Sequence, residues 1–251
     1  LRNEQTEAGS PFAEVEPCTD PVELPRLLED VAAAIRQFII LDPEEVTAAA
    51  LWIAACWFVE VIHCAPICLV NAPEKACGKT QLLTVLGKLV PRPAQASGIS
   101  PSVLFRMIEA YRPTLLIDEV ETVLTKENED LRGLVNAGQT RDSAYVWRSV
   151  AKGDDFEPRR FSVWGMKAIA GINADRLAET VTSRSIVINL RKKLPHETVN
   201  RLRHATPGLF ETLNAKLARF PLDNSEQVRD ARPFVPEALS DRAQDNWEPL
   251  L

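Results

Sequence analysis

The apolar positions fall into three regimes along the chain. Residues 1–20 carry Glu, Gly, Ser and Pro with little apolar periodicity, the pattern of a flexible lead-in. From there Asp20 can cap a helix that Pro21 opens, and Leu24, Leu27, Leu28, Val31, Ala34 and Ile35 recur at helical spacing. A second helix is predicted from about Pro43 to His63, apolar on nearly every side as a buried helix is. Residues 21–65 thus form an N-terminal helical segment. Beyond them the pattern becomes short apolar runs separated by helices, the alternation of an α/β domain with a parallel sheet and crossover helices. Ile67–Val70, Thr114–Ile117, Lys167–Ala170 and Ile186–Leu190 are the predicted strands, and Gln81–Leu89 and Ser102–Ala110 the helices between them. Tyr145–Val150 and Phe161–Trp164 flank the polar stretch Ala151–Arg160, a pattern that predicts a long hairpin. Residues 66–193 make the core of this reading. After Lys193 the chain is helical and then proline-rich, so residues 194–251 are expected to form a small lid and a tail.

Composition narrows this picture only slightly. With 251 residues and 45% hydrophobic content, the chain can bury a sizeable core without staples. Five cysteines at irregular spacing make no disulfide framework and fit a reducing compartment, the cytoplasm. His63, Cys64 and Cys68 invite a zinc reading, but a tetrahedral site needs four ligands and no second pair lies nearby. The stretch Ala48–Val70 is broken by Glu60, His63 and Pro66, leaving 12 unbroken apolar residues, Ala48–Val59, which predicts a buried helix and no membrane span. No signal peptide is expected from the first residues, and with no initiator methionine at Leu1 the expectation is a cut piece of something longer. A formal charge of -6 confines any nucleic-acid contact to local basic features.

The chemistry begins at Asn71-Ala72-Pro73-Glu74-Lys75-Ala76-Cys77-Gly78-Lys79-Thr80, which follows a predicted strand and precedes a helix. That is the context of a phosphate-binding loop, where backbone N–H groups and a helix N-terminus face an anion. Pro73 to Thr80 and the adjoining Gln81 are therefore the candidate ATP-binding residues. Lys79 would reach the β- and γ-phosphates and the Thr80 hydroxyl would ligate Mg²⁺. Pro73 stands where the usual first glycine should be. Cys77, beside a helix N-terminus, is either an alkylation-sensitive thiol or a small loop filler. Leu115-Leu116-Ile117-Asp118-Glu119 puts two carboxylates at the end of a buried strand, Asp118 for the Mg²⁺ shell and Glu119 to activate water. Asn173 ends a further strand and can orient that water, or make an Asx-type turn. Arg184, in Thr182-Ser183-Arg184-Ser185, is either a surface ion-pair member or a cation supplied to a neighbouring subunit's transition state.

In this order the motifs resemble AAA+ ATPases, and more closely the MCM-type and superfamily 3 helicases, over roughly Ile67 to Arg191. Ser183-Arg184 is similar to the MCM arginine finger, and Asn173 matches the first sensor. The string from PEKACGKT through LLIDEVE and FSVWGMKAIAGIN to SRSIVINLRKK, with the ending LSDRAQDNWEPL, looks like domain-of-unknown-function family 3631. That family occurs in phage, plasmid and prophage replication proteins, often beside a primase module. The resemblance implies a three-layer P-loop NTPase core using ATP and Mg²⁺, hexameric rings, and a replicative helicase acting on single-stranded or forked DNA. It implies pore-lining DNA contact by the hairpin cations Arg148, Lys152, Arg159 and Arg160, around the turn Lys152-Gly153-Asp154-Asp155. Arg242, on a predicted lid helix capped by Asp241, is a candidate second sensor. A loader or remodeller, and a switch in which ATP binding alone matters, remain open as alternatives.

Overall fold

The computed structural model describes residues 10–96, 99–120, 129–153, 155–174 and 177–251. Residues 1–9 of the lead-in and Asp154 of the hairpin turn therefore lie outside the described residues. Seven strands are found among those described: β1 (Ile67–Ala72), β2 (Pro93–Gln95), β3 (Thr114–Ile117), β4 (Tyr145–Lys152), β5 (Asp155–Ser162), β6 (Lys167–Ile172) and β7 (Ser185–Asn189). Five form one parallel sheet in the order β2-β3-β6-β1-β7, and β4 and β5 pair antiparallel as a separate hairpin.

Side chains alternate along these strands into two cores. Cys68, Val70, Ala72, Ala168, Ala170, Ile186 and Ile188 face one. Ile67, Leu69, Leu115, Ile117 and Ile169 face the other. Burial on both faces is why the strands appear in the sequence as continuous apolar runs. The first core is covered by α1 (Leu24–Phe38), α2 (Pro43–Cys56), α3 (Lys79–Leu89) and α7 (Leu209–Asp230). The second is covered by α4 (Pro101–Tyr111) and α5 (Glu129–Ala137), with the Phe161 ring of the hairpin tilted against Phe105 at 4.5 Å between centroids. Short helices α6 (Glu179–Thr182) and α8 (Asp241–Trp247) flank the start of β7. Among the described residues no helix is long and apolar enough to cross a membrane.

Several boundaries differ from expectation for local reasons. α1 begins at Leu24, with Glu23 as its extended cap and a proline within its first two positions. Asp20 does not cap it, because Glu23 takes that position and the chain just before Asp20 is tied to α7. The Cys18 N–H donates to Ala215 O, and the Arg219 guanidinium donates to Thr19 O at 3.1 Å. α2 stops at Cys56, not His63, as its amide ladder tightens into i→i−3 bonds at Trp57 and Phe58. The cap of α8 is Ser240, whose hydroxyl accepts from Ala243 N, and Asp241 is the first helical residue. The polar stretch 151–160 lies mostly within the two hairpin strands.

Candidate functional site

Parallel strands deliver their chain ends to one edge of the sheet, and the loop 73–78 issues there from β1 into α3. Ala76 (φ 65°) and Gly78 (φ 93°) take left-handed backbone, with the buried Cys77 between them. Such alternation turns successive N–H groups toward a common anion. Gly78 suits this position doubly, since a Cβ there would also meet Ile39 Cδ1 at 3.3 Å. Glu74 reaches out of the loop to Lys192 at 3.5 Å.

Thr80, in the first turn of α3, donates its hydroxyl to Asp118 Oδ2 at 2.7 Å. The other carboxylate oxygen, Oδ1, accepts from the backbone N–H of Glu119 at 2.8 Å, which fixes the orientation of the acid. Glu119 is exposed and left-handed (φ 52°) at the strand end. β6 lies between β1 and β3, so Asn173 emerges between the loop and Asp118. Its backbone N–H donates to Ala72 O at 2.8 Å and its φ is 50°. Thus Lys79, Thr80, Asp118, Glu119 and Asn173 share one edge.

A cavity of about 580 Å³ adjoins the start of α3. Phe38, Ile39 and Ile40 from the end of α1, and Val199 to Arg203, form it together with Ala76 to Gly78 and Gln81. Asn200 N donates to Gln37 O at 2.7 Å, tying the two walls. The Arg191 guanidinium, bonded to Glu197 at 2.6 and 2.7 Å and to Asp42, holds the segment leading there, and pulls the Glu197 carboxyl down to about 2.

Arg184 sits at the other edge. The register pairs Ile67 with Ser185, and Ile67 N bonds Arg184 O, so Arg184 is a strand length, roughly 16 Å, from the loop of its own chain. Its guanidinium donates to Thr180 O at 2.6 Å. Burial, and then the charge of Arg242, hold it below the usual arginine value. Arg242 donates to Ser183 Oγ at 2.9 Å. The structure therefore places Arg242 beside Arg184 and does not bring it to residues 73–81 of the same chain.

The four hairpin cations do not form one cluster. Opposed residues share a face, and the pair Arg148–Arg159 points toward α4: Arg148 lies over the Phe105 ring, and Arg159 bonds Glu109 at 2.9 Å. Lys152 pairs with Glu157 at 2.6 Å. Only Arg160 is on the outward face, over the Tyr145 ring at 4.1 Å. Cys68 is buried in β1, and among the described residues no group of three or more His, Cys, Asp or Glu is arranged to hold a metal ion.

Residues 189–251 match a family model described as "Protein of unknown function (DUF3631)". No curated protein matches the chain. Among solved structures it is similar to "The A form apo structure of NrS-1 C terminal region-CTR", at 14% identity and a TM-score of 0.42. That similarity covers 94% of this chain and 50% of the other, so the chain spans about half the length of that structure's chain.

The matched segment starts at Asn189, so it takes in Arg191, the 199–203 wall of the cavity and α8, but not the loop, Asp118 or Arg184. Sequence reasoning missed the cavity walls. Phe38 to Ile40 look like the end of an ordinary buried helix, and residues 199–203 have no periodicity; nothing local marks either as a lining.

Proposed function

We propose that the chain is an ATP-hydrolysing AAA+ motor acting on DNA, of the kind used in mobile-element replication. The observation that carries this is the 2.7 Å bond between Thr80 Oγ1 and Asp118 Oδ2, beside a loop with left-handed residues at Ala76 and Gly78. A hydroxyl and a carboxylate brought together at a helix N-terminus are hard oxygen donors, and they fit Mg²⁺ that is also held by substrate phosphates. When bound, the ion neutralises charge on the β- and γ-phosphate oxygens. The loop amides and Lys79 bind the phosphates, and the nucleoside extends into the cavity bounded by Phe38 to Ile40. Glu119 accepts the proton of the attacking water, and Asn173, emerging between the loop and Asp118, orients that water. The match of residues 189–251 to the family, and the resemblance of the motif order to helicases, support DNA as the polymer acted upon.

Two variants test the site. Lys79→Ala is expected to lose tight ATP binding, while Glu119→Gln keeps binding and lowers turnover by about 10² or more. Turnover by Glu119→Gln at the parent rate would show that the base is misassigned.

A further inference from the structure

The hairpin has two chemically different faces. Alternation along β4 and β5 sends Val146, Arg148, Arg159 and Phe161 toward α4. Tyr145, Trp147, Ala151, Phe156, Pro158 and Arg160 go the other way. On that outward face Trp147 is 63% and Phe156 70% exposed, large values for apolar rings, and Tyr145 is 38% exposed. Trp147 stands directly opposite Arg160, and Phe156 opposite Ala151, so the two rings are about four strand residues, roughly 13 Å, apart. No described residue of this face is a carboxylate; Asp155 and Glu157 lie on the inner face, where Glu157 pairs with Lys152. In a chain of formal charge -6, this is a locally acid-free surface of rings with one guanidinium, Arg160, over the Tyr145 ring.

We propose that this face binds single-stranded DNA by base stacking, with Trp147 and Phe156 each taking a base and Arg160, across from Trp147 and over Tyr145, meeting a phosphate at the Trp147 end of the strand. The inference rests on the reading of the chain as acting on DNA, and changes how contact is made. Three of the four hairpin cations, Arg148, Lys152 and Arg159, lie on the inner face against Phe105, Glu157 and Glu109, so rings rather than charge dominate the outward surface. Exposed rings separated by more than one base and accompanied by a guanidinium suit a strand whose bases are unpaired, since a duplex hides the π-faces that stacking needs. Every base has such a face, so binding is sequence-tolerant.

The experiment is fluorescence anisotropy of the full chain with labelled oligo(dT), with duplex of equal length for comparison, at several salt concentrations. Urea midpoints of each variant report folding, which an outward face should leave near the parent value. Trp147→Ala and Phe156→Ala are expected each to weaken oligo(dT) binding about ten-fold without changing its salt slope, and Trp147→Phe to retain most of it. Arg160→Ala is expected to lower the salt slope by about one. Parent-like oligo(dT) affinity in Trp147→Ala and Phe156→Ala, with the parent chain binding well, overturns the stacking face and leaves the DNA reading standing. Failure of the parent chain to bind either oligo(dT) or forked duplex overturns both. A Trp147→Ala change in self-association by sedimentation, with oligo(dT) affinity intact, assigns the face to protein contact and also overturns the proposal.

Discussion

Lys167 opens β6 as a fully buried amine, and its Nζ donates to Gly165 O at 2.7 Å and to Gly138 O at 3.2 Å. Gly138 is required for this approach, since a Cβ there would lie 2.3 Å from Nζ and 2.2 Å from Val163 O. Burial penalises the ammonium form and lowers the group from 10.5 to about 7. Between those two values the unfolded chain holds a proton that the folded chain lacks. Lowering the pH through that window therefore favours unfolding, and stability rises with pH from about 7 toward 10.5, at up to about 1.4 kcal/mol per unit. Cys64, pushed up to about 12 by burial, opposes this only near and above the ordinary thiol range. Urea midpoints between pH 7 and 8.5 should rise for the parent and rise less for Lys167→Met, which is less stable throughout because two carbonyls lose their donor. Equal slopes for the two proteins would show that Lys167 stays charged.

Helix α8 is fastened to the sheet by polar contacts. Asn246, buried on that helix, accepts from Gln139 Nε2 at 2.5 Å and donates to Ser183 O at 3.0 Å, while Arg242 one turn earlier donates to Ser183 Oγ. Asn246→Leu leaves Gln139 Nε2 buried without this acceptor, a loss of about 1–3 kcal/mol that thermal unfolding would detect. An unchanged midpoint would show that the network contributes nothing. No such link was legible in the sequence, because a buried asparagine in a polar helix has no periodic signature. Strands β1, β3, β6 and β7 were legible because two-sided burial makes each an apolar run. β2 was not, being three residues with a proline at the sheet edge. Nor was α5, whose sequence follows a strand end rich in charge. The hairpin was visible as a pair of strands, yet charge alone could not sort its cations; the register sends Arg148 inward and Arg160 outward. Loop 73–80, Asp118 and Asn173 were legible because each falls just after an apolar run, and a parallel sheet collects such positions at one edge.

At the scale of the molecule, the sheet separates two sets of charged groups. Lys79, Asp118, Glu119 and Asn173 lie at one edge, while Arg184 and Arg242 lie at the other, roughly a strand length away. No side-chain motion of Arg184 bridges about 16 Å while β7 stays paired with β1. If Arg184 acts on a γ-phosphate, that phosphate belongs to another copy of the chain. A planar, permanently charged guanidinium in that role stabilises charge on the transferred phosphoryl, an effect of about 10³ or more in rate. Arg184→Ala is therefore expected to fold and to bind ATP, because Lys79 and Thr80 remain in place, while losing hydrolysis. Arg184→Lys should not restore it, since an ammonium lacks the fork geometry. Mixing decides between a trans and a local role. Arg184→Ala subunits combined with Glu119→Gln subunits should recover some hydrolysis, because certain boundaries then pair an intact Glu119 with an intact Arg184. Inactive mixtures in assemblies shown to be mixed, or full-rate hydrolysis by a dilute monomer, would make Arg184 a structural group that holds α6 through Thr180 O.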